Sequence, residues 1–323
     1  MDVVSILETL NKNLSEQDKD LLRKLTQDEK DKVIKWLSES QNAKANILIT
    51  GATGCGKSST INALFCTEKA IVGTGADPMT MDIQKYDFGN LVIWDSPGLG
   101  DSPAKDELHK SGLIKKLEEC DEKGNFLIDV VLVILDGSSR DMGTSFDLIK
   151  DVIVPHLGKK PENRLIIGVN KVDSMMSGRH WDVENTKPDS KLEEKILETE
   201  NTFRERINDA CNHLFAFVSY SAGYKEDNKP QEPSYNIANL LLKIIDSMPS
   251  EKRVPVVRTI KRSRLTSTEV QTINRRTTRG VLESVSAGAA LGAAIGSVIP
   301  VIGTGVGTVV GAIGGFLSSI FDW

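Results

Sequence analysis

The sequence predicts an α/β fold: a doubly wound, mostly parallel sheet, preceded by N-terminal helices and followed by a C-terminal glycine-zipper helical hairpin. Three observations predict it. From Asn46 to about Pro249, short apolar runs alternate with segments of helical period. The first apolar run is followed at once by the octet Gly51-Ala-Thr-Gly-Cys-Gly-Lys-Ser58, which fits G-x-x-x-x-G-K-[ST] and belongs between a strand and a helix. Between Ser284 and Phe321 the chain carries no charge, and glycine recurs there every four residues.

Taken in order, residues 1–42 read as two or three short helices. Val4, Ile6, Leu7 and Leu10 form one apolar stripe, Leu21, Leu22, Leu25 and then Val33, Ile34 and Leu37 form others, and Ser15 with Asp18 fits a helix cap. Residues 43–250 form the α/β domain. Its first strand ends at Thr50 and its first helix runs over Ser58–Phe65. Ile83–Phe88 and Leu91–Asp95 read as strands joined through Gly89-Asn90. Lys105–Glu119 reads as helix. Ile128–Asp136 is an almost continuous apolar run, as expected of a strand buried on both faces. Helix over Ser145–Leu157, strand over Arg164–Asn170, a long helix over Lys191–His213, strand over Phe215–Ser219 and helix over Tyr235–Met248 complete the alternation. Residues 251–280 form a basic linker, with Lys252, Arg253, Arg258, Lys261, Arg262, Arg264, Arg275, Arg276 and Arg279 opposed only by Glu251 and Glu269. Residues 281–323 form the hydrophobic tail.

The composition narrows the setting. A net charge of −5 gives the whole chain no bias toward polyanions, so any such contact must come from the local basic segment. The four cysteines, Cys55, Cys66, Cys120 and Cys211, are scattered without a C-x-x-C pair, which points to reduced thiols in a cytosolic setting. The four histidines show no metal-ligand spacing. Met1–Ser15 lacks a basic n-region with an apolar core, so no secretory signal is expected.

The octet names a chemistry. Glycines at Gly51, Gly54 and Gly56 let backbone N–H groups turn toward an anion, with Ala52, Thr53 and Cys55 between them, and the helix start at Ser58-Ser59 adds partial positive charge. Lys57 is expected to neutralise β- and γ-phosphates, and Ser58 to ligate Mg²⁺. Three later stretches select the base. Trp94-Asp-Ser-Pro-Gly98 ends the third strand; Asp95 would hold Mg²⁺ through water, and the Gly98 N–H would sense the γ-phosphate. Asn170-Lys-Val-Asp173 ends the fifth. The Asp173 carboxylate can accept both N1–H and the 2-amino group of guanine, a donor pair that adenine lacks. Lys171 would lie along the base plane and Asn170 would brace the loops. Ser221-Ala222 follows the sixth strand, where a backbone N–H can meet guanine O6.

With these motifs in order at strand ends, residues 46–248 resemble a translation-factor-type P-loop GTPase. The Gly-x-Thr-Gly-x-Gly-Lys-Ser-Ser loop and Asp95-Ser-Pro-Gly-Leu-Gly-Asp101 are similar to those of the Era-like and septin-like branches, including AIG-type proteins, immunity-related GTPases and their bacterial relatives. Gly178-Arg-His-Trp181 and Lys187-Pro188 resemble an insertion in bacterial Era-like members of that group. The resemblance implies binding of GTP/GDP with Mg²⁺, GTP hydrolysis, and homodimers or oligomers formed through the G domain. It also implies a switch threonine before the second strand, Thr80 with Thr74 as the alternative, whose Oγ would complete the Mg²⁺ shell. Leu99 stands where Ras-like enzymes carry a water-orienting glutamine, so intrinsic hydrolysis is expected to be slow. Gly54 stands where some Era-like enzymes hold K⁺ with asparagine, so that route is not expected. Arg140 is a candidate for supplying the missing group in trans, against a plain surface arginine.

In the tail, Gly288, Gly292 and Gly296, then Gly303, Gly307, Gly311 and Gly315, place small residues on one helical face. One uninterrupted helix would run about 57 Å, well past the ~30 Å hydrocarbon core. Pro300 and Gly303 break the run, so a hairpin of two helices is expected, in contact with membrane lipid and with the basic linker on the cytoplasmic face. A soluble glycine-rich pair is the plainer alternative. The expectation is therefore a cytoplasmic G domain, membrane-associated through its C-terminus with transmembrane helices. RNA contact through residues 252–279 is the alternative, as is a GTP-dependent structural oligomer with little hydrolysis.

Overall fold

The computed structural model describes residues 43–65, 83–100, 102–139, 142–224, 229–249, 252–253 and 256. The expected N-terminal helices, Cys66, Thr74, Thr80, Arg140, most of the basic linker and the whole hydrophobic tail lie outside the described residues. Among the described residues, no helix is long and apolar enough to cross a membrane.

Ala45–Met248 form one compact unit. Its sheet has six strands: β1 (Ala45–Gly51), β2 (Gln84–Asp87), β3 (Leu91–Asp95), β4 (Val130–Asp136), β5 (Leu165–Asn170) and, after a two-stranded hairpin of β6 (Trp181–Asp182) and β7 (Lys187–Pro188), β8 (Ala216–Ser219). The order is β2-β3-β1-β4-β5-β8. Only β2 runs antiparallel to its neighbour; β3, β1, β4, β5 and β8 are parallel. The predicted mostly parallel sheet is thus observed, and β2 makes it mixed. Every residue of β1 and β5 is buried, as the apolar runs required, whereas edge strand β2 carries Gln84, Lys85, Tyr86 and Asp87 and faces solvent.

The helices are α1 (Lys57–Phe65), α2 (Pro103–Glu118), α3 (Gly143–Asp147), α4 (Ser190–Cys211) and α5 (Ile237–Ser247). Ser102 caps α2 and Pro103 opens it, a position where the missing N–H costs nothing. Asp189 caps α4 by accepting from the N–H groups of Lys191 and Leu192, and Asn212 ends it in the left-handed region. The helix expected over Ser145–Leu157 differs. After α3 the chain widens into a π turn, Leu148–Ile153, and closes in a 3₁₀ turn, Val154–His156. Pro155 has no N–H to continue an α ladder, and the wider turn buries Leu148, Ile149, Val152 and Ile153 together. These residues join Leu113, Leu117, Leu132-flanking Val131 and Val133, and Phe203 and Ile207 of α4 in one core.

The topology puts the loops after β1, β3, β5 and β8 at one edge, the carboxyl ends of the parallel strands, where open α/β sheets bind ligands.

Candidate nucleotide site

The turn from β1 into α1 has the conformation that its glycines predicted. Gly54 and Gly56 sit at φ +75° and +94°. A side chain at Gly56 would also collide with Asn170: its Cβ would lie 2.3 Å from Nδ2. Thr60 is the first residue of α1 with its N–H bonded, to the Gly56 carbonyl at 2.9 Å. The N–H groups of Lys57, Ser58 and Ser59 precede it, the first turn that helix geometry leaves for an anion. Lys57 Nζ donates to the carbonyls of Gly51 (3.2 Å) and Ala52 (3.1 Å), so its charge lies over the loop.

The segment after β3 is fastened to this loop. Thr53 N–H donates to the Leu99 carbonyl at 2.9 Å, Leu99 N–H donates to the Gly51 carbonyl at 3.4 Å, and Ala52 and Leu99 pair as a parallel bridge. Gly98 is pressed against Thr53, and a Cβ there would come 2.6 Å from the Thr53 Cα. Ser96 Oγ donates to Thr50 Oγ1 at 2.8 Å. The Leu99 side chain belongs to the hydrophobic core and is 1% exposed.

Asp95 is the electrostatic centre of the site. It is 2% exposed, and its Oδ1 has no hydrogen-bond partner among the described residues. Burial pushes its pKa up to about 6, opposed by the nearby Lys57 charge. A buried carboxylate oxygen left without a donor fits a divalent cation, which would satisfy the lone pairs and favour the ionised form. The half-buried Ser58 hydroxyl on α1 is the other described candidate ligand. Cys55, also in the loop, is fully buried, and desolvation raises its thiol pKa; this is the environment of an inert thiol.

On the opposite side, Asn170 joins two loops. Its Nδ2 donates to the Cys55 carbonyl at 2.9 Å, and its Oδ1 accepts from the Ala222 N–H at 3.0 Å. The expected bracing role therefore has a geometry. Lys171 takes a left-handed backbone (φ 61°) and pairs with Asp136 at 2.7 Å. Asp173 is half-buried and accepts from Ser174 Oγ at 3.2 Å. Ser221 and Ala222 are brought beside Asn170, but both N–H groups are engaged: Ser221 donates to the Tyr235 carbonyl at 3.1 Å and Ala222 to Asn170. A base oxygen would share or replace the second bond.

Three contributors were not visible in the motifs. Asp136, which holds Lys171, ends β4 directly opposite Asn170 in register; an acidic residue closing an apolar strand is the signal that marks it. Tyr220 and Gln231, distant in sequence, bond the first turn of α1, and nothing local in the sequence announces them. The insertion resembling that of bacterial relatives folds as 3₁₀ turns within Val172–Gly178, interrupted by non-helical backbone at Met175, Met176 and Ser177, and the β6–β7 hairpin. Trp181 packs edge-on against Tyr235, with centroids 5.6 Å apart.

Fold, loop and bracing asparagine define a class of protein, the P-loop GTPases. Residues 46–171 match the family described as 50S ribosome-binding GTPase, and the chain carries a P-loop GTPase domain. Interferon-gamma-inducible GTPase 10 of Mus musculus is 27% identical over 67% of this chain and 47% of its own length. The tRNA modification GTPase MnmE of Chromohalobacter salexigens is 30% identical over 46% of this chain and 31% of its own. The chain thus spans less than half the length of these curated relatives. Among solved structures, Toc33 from Arabidopsis thaliana is 17% identical, with 70% of this chain and 93% of that one covered, at a TM-score of 0.46.

Proposed function

We propose that the protein binds guanine nucleotide with Mg²⁺ and hydrolyses GTP slowly, as a self-assembling switch held at a membrane by its C-terminus. The observation that carries the nucleotide reading is Asn170, whose one amide spans the phosphate loop and the Ser221-Ala222 turn, so that groups suited to phosphate and to base share one frame. The loop and the α1 N-terminus would hold the phosphates, Lys57 would leave the loop carbonyls for the β- and γ-oxygens, and Asp173 would accept from the guanine edge. Ser58 and Asp95 would hold Mg²⁺, with Thr80 as the expected third contributor; the ion's charge offsets the charge on the phosphate oxygens.

Slow turnover is supported by Leu99. Its backbone is bonded to the loop and its side chain is in the core, so this position offers no group to orient water. Leu99→Gln is expected not to restore turnover. Burying the amide should instead cost roughly 1–3 kcal/mol of stability, read by urea denaturation beside a GTPase assay; a faster enzyme of unchanged stability would contradict the assignment.

Membrane contact is supported by the charge-free run Ser284–Phe321 and the basic residues before it. GTP hydrolysis should be followed against protein concentration, for the full chain and a chain ending at Ser250, with and without anionic liposomes. A specific rate that rises with concentration or lipid, and only in the full chain, is expected. A flat rate throughout rejects assembly-driven activation, and no GTP turnover at all rejects the hydrolase reading. An RNA-associated role is the second reading, favoured by the names of the matching family and of the MnmE relatives and by the same basic segment. It requires salt-sensitive RNA binding by a chain lacking residues 281–323.

A further inference from the structure

Two hydrogen bonds, one buried and one part-buried, join the residue after β8 and the segment beyond it to the first turn of α1. Tyr220 is fully buried, and its phenol oxygen lies 2.8 Å from Thr60 Oγ1, which also donates to the Gly56 carbonyl at 2.8 Å. Space for the ring is left by Gly168 of β5, where a Cβ would lie 3.0 Å from Tyr220 Cε1. Burial raises the phenol pKa strongly, so the group stays neutral, and with the one hydroxyl hydrogen of Thr60 directed to Gly56 the phenol donates to Thr60 Oγ1. Gln231 supplies the second link. Its Nε2 carries two hydrogens, and it lies 3.0 Å from the Ser59 carbonyl and 2.5 Å from the Ala222 carbonyl. The irregular segment carrying Gln231 returns beside the Ser221-Ala222 turn: Tyr235 and Ser221 exchange two backbone bonds, and Glu232 N–H donates to the Tyr224 carbonyl at 2.8 Å.

Ala222 is consequently held from both sides, at its N–H by Asn170 and at its carbonyl by Gln231. Gln231 also grips the helix turn whose N–H groups face the phosphate loop. Asn170 is part of the recognised motif; Gln231 and Tyr220 are not. We infer that Gln231 is a positioning residue for base recognition. It fixes the Ala222 turn relative to α1 so that the base and phosphate portions of one nucleotide bind as a unit, and Tyr220 stiffens the same joint from within the core. This rests on the guanine-nucleotide reading above. The chemistry follows from the donor count. Two carbonyls converge on one side chain, so a replacement must donate to both: Gln231→Lys retains donors, Gln231→Ala removes them, and Gln231→Glu sets a carboxylate against two carbonyls.

The test compares a ligand with a base to one without. Fluorescent GDP binding and dissociation are measured on the full chain, with unlabelled GDP, ADP and inorganic tripolyphosphate as competitors. For Gln231→Ala, GDP affinity is expected to fall about tenfold, mainly through faster dissociation, while tripolyphosphate competition changes less than about twofold. Gln231→Lys should recover most of the loss and Gln231→Glu should exceed it. Tyr220→Phe, which keeps the packing, is expected to weaken GDP about threefold. If Gln231→Ala weakens GDP and tripolyphosphate equally, or leaves both unchanged, the positioning role is overturned and Gln231 is only part of the domain's framework. If the unaltered protein fails to prefer GDP over ADP, the guanine reading itself fails. The two failures are therefore distinguished by the protein on which they appear.

Discussion

Asp173→Asn is expected to exchange guanine for xanthine as the preferred base. The Asp173 carboxylate has two acceptor oxygens, suited to the adjacent N1–H and 2-amino donors of guanine. Asparagine keeps one acceptor and gains a donor. It then faces guanine's amino group with an N–H of its own, whereas xanthine offers an oxygen at that position. Sites built on paired hydrogen bonds reject mismatched partners steeply, so GDP affinity should fall by about 10⁴-fold and XDP affinity should exceed it. The side chain is half-buried with a single short-range partner, Ser174, so the fold should tolerate the change. Calorimetric titration with GDP and XDP measures both affinities. Equal, modest losses for the two nucleotides would mean that Asp173 does not read the base.

The second large effect is a pH dependence of stability that reverses when metal and nucleotide bind. In the folded protein Asp95 has its pKa raised from the ordinary 3.8 to about 6 because burial penalises its charge. Between those values the folded state holds a proton that the unfolded chain has released. Its contribution is therefore fully present below the ordinary value and is lost as pH rises through about 6, an amount on the order of 3 kcal/mol. The nucleotide-free protein should melt at a lower temperature at pH 7 than at pH 4.5 on this account. Mg²⁺ held at Asp95, as proposed above, would require the ionised carboxylate, so stabilisation by Mg²⁺ with GDP should grow over the same interval. Asp95→Asn, neutral throughout, should flatten the first trend and weaken the second. Identical pH profiles for the two proteins would rule out Asp95 as the source.

The motifs were legible because each lies within a few residues of a strand end, where chain direction alone sets geometry. Spacing singles out Gly56, Asp95 and Asn170, and in the structure Gly56 packs against Asn170, whose amide bonds the loop at Cys55. The alternation of apolar runs was also sufficient for the sheet, because strands buried on both faces leave little else for Val130–Asp136 or Leu165–Asn170 to be. The π turn after α3 was not legible. Periodicity over thirteen-odd residues with one proline reads as plain helix, and the extra residue per turn is fixed by what the core must fill. Tyr220 and Gln231 were illegible for a different reason. Their partners, Thr60 and Ser59, are 160 and 172 positions away, and a bond closed over that distance leaves no pattern in either neighbourhood. Thr80 and Arg140, assigned by resemblance, fall outside the described residues.

The bridge between Ala52 and Leu99 has a consequence for how this domain can signal. Ser96 and Leu99 are stitched to β1 and the floor of the cradle, which ties that stretch to the loop that would hold the ligand. The next residue, Gly100, is exposed at φ +104°, and its N–H donates to both carboxylate oxygens of Asp106 at 3.0 and 3.2 Å. Asp106 lies in the opening turn of α2. Gly100 is thus tied directly to the opening turn of α2, so that a displacement at Gly100 would pass to the start of that helix.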